Sequence, residues 1–174
     1  MGSNHNQLLP LAIEYLKFIG TSKKSNEQIN KEFYNLAVNF NMYSSKDQTY
    51  ISLSGLDENF DAAVQLMEEI LNDPKPDQKA LDELIKSKIK SRNDATLNKD
   101  IIFYDALDEY LRYGKNNSYN NVISNQKLKT IKANELTSII KSLKSYKHRI
   151  YYYGPRSLNT VVRDFKKSHK TPEN

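Results

Sequence analysis

Cysteine is absent from this chain, which excludes disulfides and thiolate chemistry and leaves the compartment open, because exported and cytosolic chains can both lack it. Histidine is scarce. His5, His148 and His169 lie far apart with no i, i+3 or i, i+4 partner, so each is expected at the surface rather than as a metal ligand. No apolar run approaches the roughly 20 residues that span a bilayer, and the N-terminus lacks the charged-then-apolar pattern of a signal peptide. No membrane span is expected. Glycine and proline number only five each, and the chain is 38% hydrophobic and 27% charged, a composition that excludes low-complexity disorder and collagen-like repetition. No G-x-S-x-G occurs and no histidine lies near a candidate nucleophile and orienter, so nothing supports a serine triad.

What is present reads as one folded domain over residues 1–174, with residues 1–7 as an added or disordered start and 166–174 as a tail. The 26 basic and 21 acidic residues give a net charge of +5, but the lysines sit beside Glu and Asp along helices, which is the signature of a solvated face. Only "IKSKIKSR" and "RDFKKSHK" are locally basic.

Leu9, Ala12, Ile13, Leu16 and Ile19 recur at helical spacing, so a first helix is expected from about Leu8 to Ile19, with Pro10 in its first turn and Gly20 ending it in a left-handed turn. Ser25-Asn26-Glu27-Gln28 has the form of a capping box and starts a second helix through Ile29, Phe33, Leu36 and Ala37. The period then becomes two. Val38, Phe40 and Met42 alternate with polar or half-polar residues, "SSKDQ" turns, and Thr49, Ile51 and Leu53 alternate again before Gly55, which predicts an antiparallel hairpin.

Phe60, Ala63, Val64, Met67, Ile70 and Leu71 form a clean helical stripe that ends at "NDPKP". Asp77 is placed to cap a further helix with Leu81, Leu84, Ile85 and Ile89 inward, its end dissolving into the polar loop "RNDATLNKD". A helix through Phe103, Ala106, Leu107, Tyr110 and Leu111 precedes the loop "YGKNNSYNN", and Leu136, Ile139, Ile140 and Leu143 mark another. A strand is expected over Arg149 to Tyr153, and a last helix through Leu158, Val161, Val162 and Phe165. The order α, α, β, β, α, α, α, α, β, α predicts an α+β fold in two layers, a small mainly antiparallel sheet packed by helices.

These elements in this order resemble a domain of the pitrilysin/insulinase metallopeptidases. That family carries an inverted zinc motif, H-x-x-E-H, followed by a Phe-x-Gly-Thr segment, a capped helix, a hairpin, a long helix before a proline break, and a helix with a distal glutamate. Phe18-Ile19-Gly20-Thr21 is similar to the second element, and the resemblance runs from about Leu9 to Phe165. Aligned on Gly20, the zinc motif falls on Leu11-Ala12-Ile13-Glu14-Tyr15, with Leu11 and Tyr15 in place of both histidines and Glu14 at the general-base position. The distal carboxylate falls between Lys86 and Arg92, a stretch without an acid. Leucine offers zinc no lone pair and neutral tyrosine is a poor ligand, and a base without a metal-bound water has nothing to activate.

The resemblance therefore implies a non-catalytic domain from the C-terminal half of such a peptidase, with no metal, cofactor or catalytic residue of its own. It would form substrate-chamber wall or scaffold, with zinc held in the catalytic half of the parent protein. Its implied partners are that catalytic half, in the same polypeptide or a partner subunit, and an unfolded peptide held at a strand edge. A periplasmic or cell-envelope address fits if the parent is a bacterial exported peptidase. Family domains have strands ahead of the zinc helix, so strands preceding Leu8 are expected outside this sequence, leaving a sheet edge bare.

Two other readings compete. The twelve tyrosines and the basic surplus resemble a stacking platform for single-stranded nucleic acid, or a general protein-interaction module. On a strand, however, Tyr151 and Tyr153 face opposite to Tyr152, so they cannot stack bases together, and no nucleic-acid partner is expected. Arg112 and Tyr119 in "RYGKNNSY" offer a pair that could hold a peptide carbonyl, but an Asn-rich segment reads as an ordinary loop.

Overall fold

A computed structural model of the chain describes residues 1–117 and 122–172. It resolves into two compact units, one of residues 1–76 with 134–174 and one of residues 77–133.

The first unit begins with α1 (Leu9–Leu16) and α2 (Asn26–Asn35), followed by the hairpin β1 (Val38–Ser44) and β2 (Thr49–Gly55), and α3 (Phe60–Asn72). The capping box is formed as read: the Ser25 hydroxyl accepts from the Gln28 amide while the Gln28 side chain accepts from Ser25 N–H. The hairpin is antiparallel in the register Val38↔Gly55, Phe40↔Leu53 and Met42↔Ile51. Val38 and Met42 are buried on β1, whereas β2 is more exposed, with Thr49 and Leu53 half-buried and Ile51 open to solvent. Both α1 and α2 pack on β1, and α3 packs on β2. The Phe33 and Phe40 rings stack with centroids 5.3 Å apart, joining α2 to the sheet. Residues 1–7, expected as an added or disordered start, run as turns in which Ser3 N–H and Asn4 N–H donate to the carbonyls of Ser45 and Lys46.

The left-handed turn expected at Gly20 is absent. Positive φ occurs instead at Ala37 (49°), between α2 and β1, and at Gly114 (56°). Gly20 is needed for closeness, because a Cβ there would lie 2.2 Å from the Lys24 carbonyl oxygen. α1 also stops earlier than Ile19, at Leu16, and the chain then turns so that Asn26 can donate to the carbonyls of Lys17 and Ile19.

The remainder of this unit is α7 (Ala133–Ser142) and α8 (Leu158–Ser168), with Leu136 and Ile140 fully buried and α8 packed on α3. No strand forms at Arg149–Tyr153. A period-two pattern becomes a strand only where a partner edge supplies its hydrogen bonds. Here the segment is held by side chains: the Tyr152 hydroxyl donates to Asp57 Oδ1 at 2.9 Å and accepts from Arg156 N–H. Within α8, Val161 is buried, Phe165 half-buried, and Leu158 and Val162 exposed. The expected tail from residue 166 is still helical to Ser168.

The second unit holds α4 (Gln78–Leu97), a π-helical segment (Ile101–Ala106), α5 (Leu107–Tyr113) and α6 (Asn125–Leu128). Asp77 caps α4 by accepting from Ala80 N–H, and Leu81, Leu84 and Ile85 are buried as the spacing predicts, with Ile89 half-buried. The predicted loop "RNDATLNKD" is helical through Leu97, since extending a helix past its nucleus needs no further apolar stripe. Arg92 secures this stretch, its Nη1 donating to the Ile123 carbonyl and to Asn125 Oδ1, both at 2.8 Å. The helix predicted through Phe103 to Leu111 is present, but it enters through a π-helical turn and none of its residues is buried. Part of the loop that follows, residues 118–121 with Tyr119, lies outside the described residues, as do residues 173–174.

Candidate functional site

α1 is buried around most of its circumference. Besides the stripe Leu9, Ala12, Ile13 and Leu16, the flanking pair Leu11 (3% exposed) and Tyr15 (0%) is packed into the core, and Glu14 is half-buried. The helix is short, begins with Pro10 and carries no acidic residue in its first turn, so it is held by packing rather than by caps.

Downstream of α1 the Phe18–Thr21 segment is fixed against α3. Thr21 Oγ1 donates to Glu69 Oε1 at 3.1 Å, and Lys75 N–H donates to the Gly20 carbonyl. The Ser22 hydroxyl and amide both donate to Asp73, holding that carboxyl below the usual carboxylate range. Lys24 bridges Glu32 (2.6 Å) and Glu69 (3.0 Å), and the hydrogen bond it donates to Glu32 raises its pKa above the ordinary lysine value. The shallow cleft between α2 and α3 is thus lined by ion pairs already satisfied within the protein.

The stretch Lys86–Arg92 is about two turns of α4, and its side chains present no carboxylate. Among the described residues no group of three or more His, Cys, Asp or Glu side chains is placed to hold a metal ion. The tyrosines offered as a stacking platform are not on a strand; Tyr151 and Tyr153 are exposed while Tyr152 is tied to Asp57.

Two constellations were not legible in the sequence. Arg156 is the centre of the first: Nε donates to both oxygens of Asp57 at 2.9 and 3.0 Å, Nη2 to the Asp57 carbonyl at 2.6 Å, and Nη1 reaches Asp164 at 3.2 Å. The guanidinium also lies 4.7 Å over the Phe60 ring. Arg156 holds the Asp57 carboxyl below its usual range, and Lys167, then Arg163, hold that of Asp164 down at about 2. This network pins the segment before α8 to the start of α3.

The second corrects the expectation that the histidines stand apart. His148 and His169 meet, Nε2 to Nε2, at 2.7 Å, and His169 Nδ1 lies 2.7 Å from Glu68 Oε1. The only hint in the sequence was Glu68 itself, an acid set among the buried positions of α3.

A family model described as Insulinase (Peptidase family M16) matches residues 12–127. The beta subunit of the mitochondrial-processing peptidase of Neurospora crassa is 29% identical over 70 residues, which are 40% of this chain and 15% of that protein. The periplasmic protease PqqL of Escherichia coli has a similar fold over 100% of this chain and 19% of its own, with a TM-score of 0.71 at 13% identity. A peptidase M16 inactive domain from Pseudomonas fluorescens is similar over 79% of this chain and 34% of its own, with a TM-score of 0.62 at 19% identity. The chain therefore spans a minor part of each of these proteins.

The zinc that this fold family implies does not fit here. A ligand must present a lone pair at about 2.0–2.3 Å from the metal. Leu11 has none, and Tyr15 is fully buried in the core.

Proposed function

We propose, from the premise that this chain belongs to the insulinase (Peptidase family M16) family, that it is a non-catalytic domain which braces and lines the substrate chamber of a larger zinc peptidase. The observation that carries this reading is the fate of the ligand positions: Leu11 and Tyr15 have become core residues. A catalytic helix must turn two donors toward a reachable metal, whereas this one spends the same positions on packing, so zinc and catalysis belong to the partner half.

Support for the scaffolding role comes from Ile101–Tyr113. Ile102, Phe103, Tyr104, Leu107, Tyr110 and Leu111 are all exposed, with Phe103 at 62% and Leu111 at 74%. A run of large apolar side chains of this kind marks a packing surface, and the partner we assign to it is the catalytic half. The two-stranded sheet leaves each strand with one unpaired edge among the described residues, where an extended peptide can add by main-chain hydrogen bonds with little regard for sequence.

The purified chain, incubated with an unfolded peptide with and without added zinc, should show no cleavage. Turnover abolished by a chelator would overturn the proposal. Co-expression with a catalytic half should give a complex that substitution of Phe103 and Leu111 by serine weakens, and an undiminished complex would remove the assigned packing surface.

A further inference from the structure

We infer that residues 147–153 are a docking strand for an acidic extended peptide, at a site distinct from the hairpin edges and independent of whether the chain lines a chamber. The segment has the alternation of a strand without a strand's hydrogen bonds. Among the described residues, no main-chain N–H or carbonyl from Lys147 to Tyr153 has a hydrogen-bond partner within the protein. Its side chains nevertheless alternate. His148 and Tyr152 are half-buried, the first meeting His169 (Nε2 to Nε2, 2.7 Å) and the second Asp57 Oδ1 (2.9 Å), while Lys147, Arg149, Tyr151 and Tyr153 are exposed. Ile150, between the two anchors, leaves 47% of its surface open. Isoleucine and tyrosine favour the pleated conformation, and Pro155, which has no N–H, closes the row. Anchoring both ends in advance removes part of the ordering cost of pairing the segment with another chain.

The charge around the segment selects the partner. Residues 141–170 hold nine of the chain's 26 basic residues and one of its 21 acidic ones, Asp164. Lys144, Arg156, Arg163 and Lys167 are engaged in ion pairs with Glu68, Asp57 and Asp164. Lys147, Arg149 and Lys170 have no ion pair among the described residues, and the contact of His148 with His169 gathers all three, since each is the chain neighbour of one of the two rings. Cations on the outward face of an unpaired strand match carboxylates on an added one, and the guanidinium of Arg149 suits a carboxylate held by two parallel hydrogen bonds. Nucleic acids and lipid head groups are also anionic, but their phosphates only accept hydrogen bonds and would leave the carbonyls of 147–153 without donors. A second main chain supplies donors and acceptors in alternation. Tyr151 and Tyr153 add large amphipathic contact area at alternate positions.

Fluorescence anisotropy of the purified chain tests the site, with fluorescein-labelled decapeptides that alternate threonine with glutamate, glutamine or lysine. The glutamate peptide should bind at least tenfold more tightly than the glutamine peptide, the lysine peptide should not bind, and added salt should narrow the difference. Lys147→Glu with Arg149→Glu, checked for native circular dichroism, should reverse the preference between the glutamate and lysine peptides, whereas Lys31→Glu on the exposed side of α2 should change nothing. The glutamate peptide methylated on every main-chain nitrogen keeps its carboxylates and loses its donors, so it should lose at least tenfold in affinity. Hydrogen exchange should slow at residues 147–153 when the unmethylated peptide binds. Undiminished binding of the methylated peptide, protection confined to β1 and β2, or tighter binding of a single-stranded oligonucleotide or of phosphatidylglycerol vesicles than of the glutamate peptide would overturn the site.

Discussion

Leu11 and Tyr15, which the proposed reading places where a catalytic relative holds zinc, act at the scale of single residues as packing. A buried leucine makes dozens of dispersion contacts and leaves a cavity when truncated, so Leu11→Ala should lower stability by about 2–5 kcal/mol in urea unfolding. A residue kept merely as a relic of a metal site would tolerate the change. Asp164 carries a different burden. Lys167 and Arg163 depress its folded-state pKa to about 2 from an ordinary 3.8, so its stabilising effect is full above about pH 4 and is lost as pH falls from there toward 2. Unfolding midpoints measured between pH 5 and 2 should fall steeply in the unsubstituted chain, and Asp164→Asn should flatten that fall. Asp57, held down first by its hydrogen bond from Arg156, contributes with the same sign.

At the scale of elements, local signals and partner-dependent signals part company. The Ser25 capping box, the hairpin and the Asp77 cap each close within a few residues, and each forms as its sequence predicts. The left-handed position did not announce itself, because Ala37 occupies it. An L-residue with a Cβ is strained there by roughly 1–2 kcal/mol, so Ala37→Gly should raise stability by up to about 1 kcal/mol after the added unfolded-state entropy of glycine is subtracted. A raised urea midpoint at unchanged slope would register it. The tyrosine-rich segment before α8 fails for the opposite reason: its alternation is a strand pattern, but no strand edge among the described residues pairs with it.

For the whole molecule, the exposed apolar run from Ile102 to Leu111 governs behaviour in solution. Sedimentation velocity should show the isolated chain associating as concentration rises, and Phe103→Ser with Leu111→Ser should keep it monomeric; a monomer at all concentrations in both would show that the run is not adhesive. The α+β class and the hairpin packed by helices were legible because hydrophobic periodicity reports which face of an element is buried. The division into two compact units was not, because periodicity says that a face is covered without saying by which element.

The sequence alone determined that position 11 offers no donor atom and position 15 only a phenol, since donor atoms are a property of residue identity that folding cannot add. Only the tertiary structure decided that His148, His169 and Glu68 meet, and that Arg156 gathers Asp57 and Asp164. Glu68 and His169 stand 101 positions apart. Such contacts are created by the packing of α8 on α3, and no local period or spacing encodes them.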